Sequence, residues 1–122
     1  MNKRQYAFGS FAGLIVAPLL SVFSSAAVAA PPNLWWEHLD PMAIDPSLCV
    51  NKSKTLLTAK MRGKIEVVET TVRSRDDKSV AVVECLKDGT NTAVVVLVAS
   101  SSLEDGNKLF GSLKDGLKTL AK

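Results

Sequence analysis

The residue types that most often bind metals or carry catalysis are scarce in this 122-residue chain. It has one histidine, His38, and two cysteines, Cys49 and Cys85. Neither cysteine has a second Cys or His at the spacing of a zinc-ligand pair. The serines of Ser100–Ser102 are not part of a Gly-rich phosphate-binding motif of the Walker type. The sequence therefore predicts no catalytic residue, no metal site and no cofactor.

A strong excess of one charge is also missing. The chain has 15 basic and 12 acidic residues, a net charge of +3. Lys3 and Arg4 lie in a segment that we expect to be removed, and subtracting these two leaves 13 basic against 12 acidic residues, a net charge of +1. Nucleic-acid binding requires a basic surface that neutralises phosphates. We therefore expect no nucleic-acid partner.

The N-terminal segment has the three zones of a secretory signal peptide. Lys3 and Arg4 form a short positive region, and an uncharged, mostly apolar stretch follows from Tyr6 to Phe23. Ala27–Ala29 supplies the small residues that signal peptidase requires, so residues 1–29 are predicted to be a signal peptide cleaved after Ala29. The alternative is an uncleaved membrane anchor, and this would be the only membrane contact. The mature protein is then expected in the periplasm or the extracellular medium.

The predicted export bears on the state of the two cysteines. An even pair of cysteines outside the cytoplasm indicates a disulfide, Cys49–Cys85, although buried free thiols remain the alternative. Removal of 29 residues from 122 leaves 93, a size at which a hydrophobic core alone is marginal. Closing a loop of 36 residues should stabilise the fold by about 3–4 kcal/mol, because the cross-link restricts the unfolded chain.

The mature chain divides by composition into two parts. Residues 30–45 contain Pro31, Pro32 and Pro41 as well as Trp35 and Trp36. Repeated prolines disfavour a long helix, so this stretch is predicted to be an extended arm. Residues 46–122 are predicted to form a single α+β domain.

Hydrophobic periodicity predicts the elements of this domain. The predicted order is a helix from Pro46 to Arg62 capped by Asp45, strands at Lys64–Arg75, Ser79–Leu86 and Thr92–Ala99, and a last helix capped by Ser101 or Ser102. Asp88-Gly89 marks a hairpin between the second and third strands. We therefore expect a two-layer α+β sandwich of the form helix, three-stranded antiparallel meander, helix, with both helices on one face of the sheet.

Two sets of residues are candidates for a partner-binding surface. The adjacent Trp35 and Trp36 are one, since tryptophan is enriched at interface hot spots. The alternative is that one ring docks onto the domain's own core. The second candidate is a basic cluster that could attract an acidic partner. The alternative is that these residues form an ordinary solvated helix face. The members of the cluster are Lys52, Lys60, Arg62 and Lys64.

These features favour a small exported binding module without enzymatic activity, comparable to an inhibitor or an immunity protein, whose partner is another exported protein. One alternative is a small periplasmic enzyme or ligand-binding protein that uses His38 with the nearby Glu37 and Asp40. Another is a structural homo-oligomer of the cell envelope, paired through an exposed sheet edge. The sequence does not fix the oligomeric state.

Overall fold

A computed structural model describes residues Pro32–Ala121. The predicted signal peptide lies outside these described residues. The elements in chain order are β1 (Asn33–Met42), α1 (Pro46–Lys60), β2 (Ile65–Val68), β3 (Thr71–Arg75), β4 (Ser79–Asp88), β5 (Asn91–Ser100) and α2 (Leu103–Lys118), with a final 3₁₀ turn at Thr119–Ala121.

The five strands form one antiparallel sheet in the order β1-β5-β4-β3-β2. Strands β2 to β5 follow one another as a meander, and β1 lies beside β5. Helix α1 therefore carries the chain from one edge of the sheet to the other. The α+β class is correct, but the predicted three-stranded meander is wrong, because two further strands belong to the sheet.

The first additional strand, β1, comes from the segment predicted to be an arm. Trp35 lies opposite Val98 and Leu39 opposite Val94 in a regular antiparallel ladder. The register shifts between Leu39 and Met42, around Pro41. Proline is compatible with an edge strand because its missing N–H has no neighbour to bond there. The prolines thus flank or end the strand and do not prevent it.

The second additional strand results from a turn inside the predicted strand Lys64–Arg75. The chain reverses at Glu69-Thr70, and Val68 pairs with Thr71 across the hairpin. Glu69 has φ +55°, in the left-handed region that short hairpin turns use. Glutamate is not a residue that predicts this conformation, so the turn has no signal in the sequence. One predicted strand is therefore two, β2 and β3.

Local signals at the starts of both helices and in the β4–β5 turn are confirmed, whereas α1 ends at Lys60 and not at the predicted Arg62. The Asp45 carboxylate accepts a hydrogen bond of 3.0 Å from the Ser47 backbone N–H at the start of α1. The Ser102 hydroxyl accepts one of 3.1 Å from the Asp105 N–H at the start of α2. Gly89 adopts φ +62° in the β4–β5 turn, where glycine avoids a steric cost.

Both helices pack on the same face of the sheet. The predicted disulfide joins Cys49 of α1 to Cys85 of β4, with Cα atoms 6.0 Å apart, and both cysteines are fully buried. Helix α2 lies so close to the sheet that a Cβ atom on Gly106 would collide with the Trp35 ring. The core between the layers also contains buried apolar side chains of every strand except β2, among them Leu39, Val72, Val83, Val96 and Val98, together with Leu57, Leu113 and Leu117 of the helices.

Candidate functional site: the open face of the sheet

The two faces of the sheet differ in what covers them. Side chains alternate along a strand, so Val83 and Cys85 of β4 point towards the helices and are fully buried. Val82 and Glu84 of the same strand point the other way and are partly exposed. Among Pro32–Ala121 no helix packs on this second side, which we call the open face.

The open face is largely apolar across three neighbouring strands, with His38 and Glu84 as its polar members on β1 and β4. In one row, Trp36 of β1 lies opposite Leu97 of β5, which lies opposite Val82 of β4. Trp36 is 64% exposed and Leu34 is 61% exposed. We call this set the apolar band; its members are Leu34, Trp36, Val80, Val82, Leu86, Val95, Leu97 and Ala99. A contiguous exposed apolar patch rimmed by polar residues is typical of an interaction site.

Positive charge borders the apolar band on the side of β3 and β2. Arg75 lies opposite Val80, and Arg73 lies opposite Val82. Here a groove of about 440 Å³ is lined by Lys64, Glu66, Arg73, Ser74, Arg75 and Val80, and we call it the basic groove. The Arg73 Nε donates a hydrogen bond of 2.8 Å to the Glu66 carboxylate. Lys64 and Arg75 make no ion pair within Pro32–Ala121, so two positive charges are available to a partner.

The adjacent tryptophans lie on opposite faces. Trp35 points towards the helices, packs against the core and lies beside Gly106. Trp36 projects from the open face into solvent. Trp35 is thus the core anchor of the pair, and the role of Trp36 as a partner contact stays a prediction.

The predicted basic cluster is divided by the fold. Lys64 lines the basic groove on the open face. Lys60 and Arg62 line a different groove, and Lys52 lies on α1, on the helix-covered side of the sheet. Trp36 therefore shares a surface with Lys64 and not with Lys52. A partner would have to wrap around the domain to contact the whole predicted set.

The second groove has a volume of about 530 Å³ and mixed charge. It lies between the end of α1, the β3–β4 turn and the start of α2, and it is lined by Lys60, Arg62, Asp76, Asp77, Lys78, Ser79, Asp105, Lys108, Leu109 and Ser112. Lys78 pairs with Asp105 at 3.3 Å. The Asp76 carboxylate accepts hydrogen bonds from the Lys78 and Ser79 backbone N–H groups of the turn. Because positive and negative groups alternate here, this groove favours no ligand charge strongly.

A catalytic interpretation of His38 requires a carboxylate partner, and within Pro32–Ala121 no side-chain hydrogen bond or ion pair joins His38 to Glu37 or to the exposed Asp40. His38 is exposed on the open face, opposite Val95. Glu37 points to the other face and accepts a hydrogen bond of 2.9 Å from the Lys114 ammonium group. This bond holds the pKa of the Glu37 carboxyl below its ordinary value. No three His, Cys, Asp or Glu side chains cluster as a possible metal site in the part of the chain that the structure describes.

Several residues of the open face were not predicted as site residues. Leu97, Val82 and Arg75 were assigned to predicted strands without a role in binding. The signal was the composition of β4 and β5. Both strands have apolar residues at successive positions, yet the prediction placed both helices on one side of the sheet. Together these two facts require an uncovered apolar face.

A comparison with models of known protein families finds no match. A comparison with curated protein sequences finds no significant relative. None of the helices in the described part of the chain is long and apolar enough to span a membrane. The function is therefore inferred from the surface of the domain.

Proposed function

We propose that this protein is an exported binding module without enzymatic activity, which holds another exported protein on its open face. An inhibitor or an immunity protein works in this way, through a surface and without reaction chemistry. The observation that carries the proposal is the apolar band that runs from the exposed Trp36 at the sheet edge through Leu97 to Val82. It lies on the open face of a domain whose hydrophobic core is on the other side of the sheet.

The disulfide supports the export part of the proposal. Disulfides form and persist in oxidising compartments, and the Cys49–Cys85 bond is consistent with the periplasm or the extracellular medium. The N-terminal sequence, with its positive residues, apolar stretch and alanine-rich end, supports a cleaved signal peptide.

The chemistry of the open face supports a partner of a particular kind. Covering Trp36, Leu34 and Leu97 would remove apolar surface from water, which is favourable by about 25 cal/mol per Å². Lys64 and Arg75 at the border have no ion-pair partner among the described residues and would meet carboxylates. The partner is therefore an exported protein that presents an apolar patch beside acidic side chains. Complementary charge at the rim mainly accelerates association and selects the partner.

The test begins with site-specific photo-crosslinking in the producing organism. A crosslinker at Val82 on the open face is compared with one at Lys52 on the helix-covered side. The protein captured from Val82 is identified by mass spectrometry and purified, because capture alone is not evidence of a specific partner. Its affinity is then measured by calorimetry for the wild type and for Trp36→Ala, Arg75→Glu and the matched charge control Lys52→Glu.

We expect Trp36→Ala to weaken binding at least tenfold, as truncation of a buried interface tryptophan commonly does. Arg75→Glu should slow association and reduce its dependence on salt, while Lys52→Glu should bind as the wild type does. Equal binding by folded Trp36→Ala and wild type, or capture only from the helix-covered side, would refute the proposed surface.

A further inference from the structure

The sheet ends in two unlike edges. At one edge β2 has only four residues, and short edge strands are a common protection against unwanted pairing. At the other edge β1 has ten residues, and β5 is its only partner strand among the described elements. Alternate backbone N–H and C=O groups of β1 therefore face outward without a strand partner.

The central part of β1 has few of the features that usually block edge pairing. Between Asn33 and Asp40 there is no proline and no lysine, and the register with β5 is regular as far as Leu39. The prolines that block pairing lie just outside this stretch, at Pro32 and Pro41. They limit a further strand to the segment between them, because proline cannot donate to a ladder.

We propose that two copies of this protein pair through β1, antiparallel and about a twofold axis at Trp36. A twofold axis brings the same strand of both copies together in opposite directions, which is the geometry of an antiparallel ladder. The result is one continuous ten-stranded sheet. This inference goes beyond the proposed function and does not depend on it.

The axis position follows from the side chains. Directly opposed residues of two antiparallel strands have their side chains on the same face of the sheet. The twofold axis must therefore pass through a residue position and not between two residues. Only an axis at Trp36 or at Glu37 centres the ladder between Pro32 and Pro41. An axis at Glu37 would place this carboxylate directly opposite the same carboxylate of the partner subunit, and like charges at opposed positions are destabilising. An axis at Trp36 places two indole rings side by side, and aromatic pairs at such positions are favourable.

The same register gives compatible neighbours on both sides of the axis. Leu34 lies opposite His38 of the partner subunit on the open face, whereas an axis at Glu37 would oppose it to the partner's Asp40. The two apolar bands become adjacent, and the rows through Leu97 and Val82 stay uncovered. The pairing is thus compatible with a further protein bound on the open face.

Cysteine cross-linking tests the register. Opposed Cα atoms in an antiparallel pair are about 4.5–5.5 Å apart, within the range of about 4.4–6.8 Å that a disulfide spans. The full-length chain is expressed with its signal, and Trp36→Cys is expected to form a disulfide-linked dimer under mild oxidation. Leu34→Cys alone should not, since its counterpart lies four residues along the partner strand, about 13 Å away. A mixture of Leu34→Cys and His38→Cys should cross-link. The native cysteines are fully buried and bonded to each other, so they do not compete.

Leu97→Cys on the open face is the control for two sheets that stack face to face. Sedimentation equilibrium of the wild type measures the mass in solution without any substitution. The proposal requires a wild-type dimer in the micromolar to millimolar range. A monomer throughout this range overturns it. Cross-linking of Leu97→Cys would also overturn it, in favour of two sheets stacked face to face. Cross-linking of Trp36→Cys only when it is mixed with His38→Cys would overturn it in favour of an axis at Glu37.

Discussion

The two faces of the sheet are built from the same strands but differ in what they contribute. On β4, Val83 is fully buried under the helices while its neighbour Val82 is partly exposed on the open face. On β1, Trp35 packs against the core while Trp36 is 64% exposed. Identical or similar side chains, one residue apart, therefore differ in burial. The helix-covered face accounts for folding, and the apolar side chains of the open face are available for binding.

Two glycines of helix α2 also differ in their surroundings. Gly106 faces the sheet, where an added Cβ atom would collide with Trp35, whereas Gly111 has open space around its Cα atom. The close approach of α2 to the sheet depends on the first and not on the second. Matched substitutions, one at a closely packed position and one at an open position, can therefore test this difference experimentally.

Removal of the disulfide should have the largest effect. Changing Cys49 and Cys85 together to alanine should lower the free energy of unfolding by about 3–4 kcal/mol, because the loop of 36 residues is no longer closed in the unfolded chain. Urea denaturation of both proteins measures this. Unchanged stability would mean that the cross-link does not hold α1 against β4 in the way described.

The adjacent valines of β4 provide a matched pair. Val83→Ala should cost about 2 kcal/mol, from the lost transfer of two methyl groups and the cavity that remains. Val82→Ala removes the same atoms from the open face and should cost less than about 1 kcal/mol. The denaturation midpoints of the two variants measure both losses of stability. Similar losses of stability would show that the open face is covered.

The glycines of α2 should respond with opposite signs. Gly111→Ala should stabilise the protein by up to about 1 kcal/mol, because alanine is the better helix former and space is available. Gly106→Ala should destabilise it by about 1–3 kcal/mol through overpacking against Trp35. Thermal unfolding of both variants is sufficient. Stabilisation by both would place α2 further from the sheet.

The smallest effect expected is the pH dependence of the Glu37–Lys114 pair. The hydrogen bond from Lys114 lowers the pKa of Glu37 in the folded protein. The pair thus stabilises the fold fully above the ordinary carboxyl pKa, and this contribution is lost as the pH falls through the lowered value. Glu37→Gln should be slightly less stable than the wild type at neutral pH and equally stable in strong acid. A difference that grows on acidification would contradict this sign.

The sequence predicted the elements whose ends have local chemical signals. Asp45 and Pro46 mark the start of α1, Ser102 marks the start of α2, and Asp88-Gly89 marks the β4–β5 turn; each is present. The cysteine pairing followed from parity and compartment. These signals depend on neighbouring residues alone, which is why they could be recognised without the fold.

The two missed strands lack such signals. The β2–β3 turn uses Glu69 and Thr70 in place of the usual Gly, Asn or Asp, so a continuous β-branched stretch concealed a hairpin. In β1 both faces carry aromatic or apolar residues, which removes the polar–apolar alternation of a half-buried strand. The open face was missed for the same reason, since its identity depends on the partner strands that lie beside Val82 and Leu97.

The most direct test of the division between the two faces is acrylamide quenching of tryptophan fluorescence in Trp35→Phe and Trp36→Phe, at a protein concentration low enough to avoid association. Each variant retains one ring. The structure predicts that Trp35, alone in Trp36→Phe, emits at shorter wavelength and is protected from the quencher, while Trp36, alone in Trp35→Phe, is readily quenched. Equal quenching of the two rings, or protection of Trp36 in the monomer, would contradict the account.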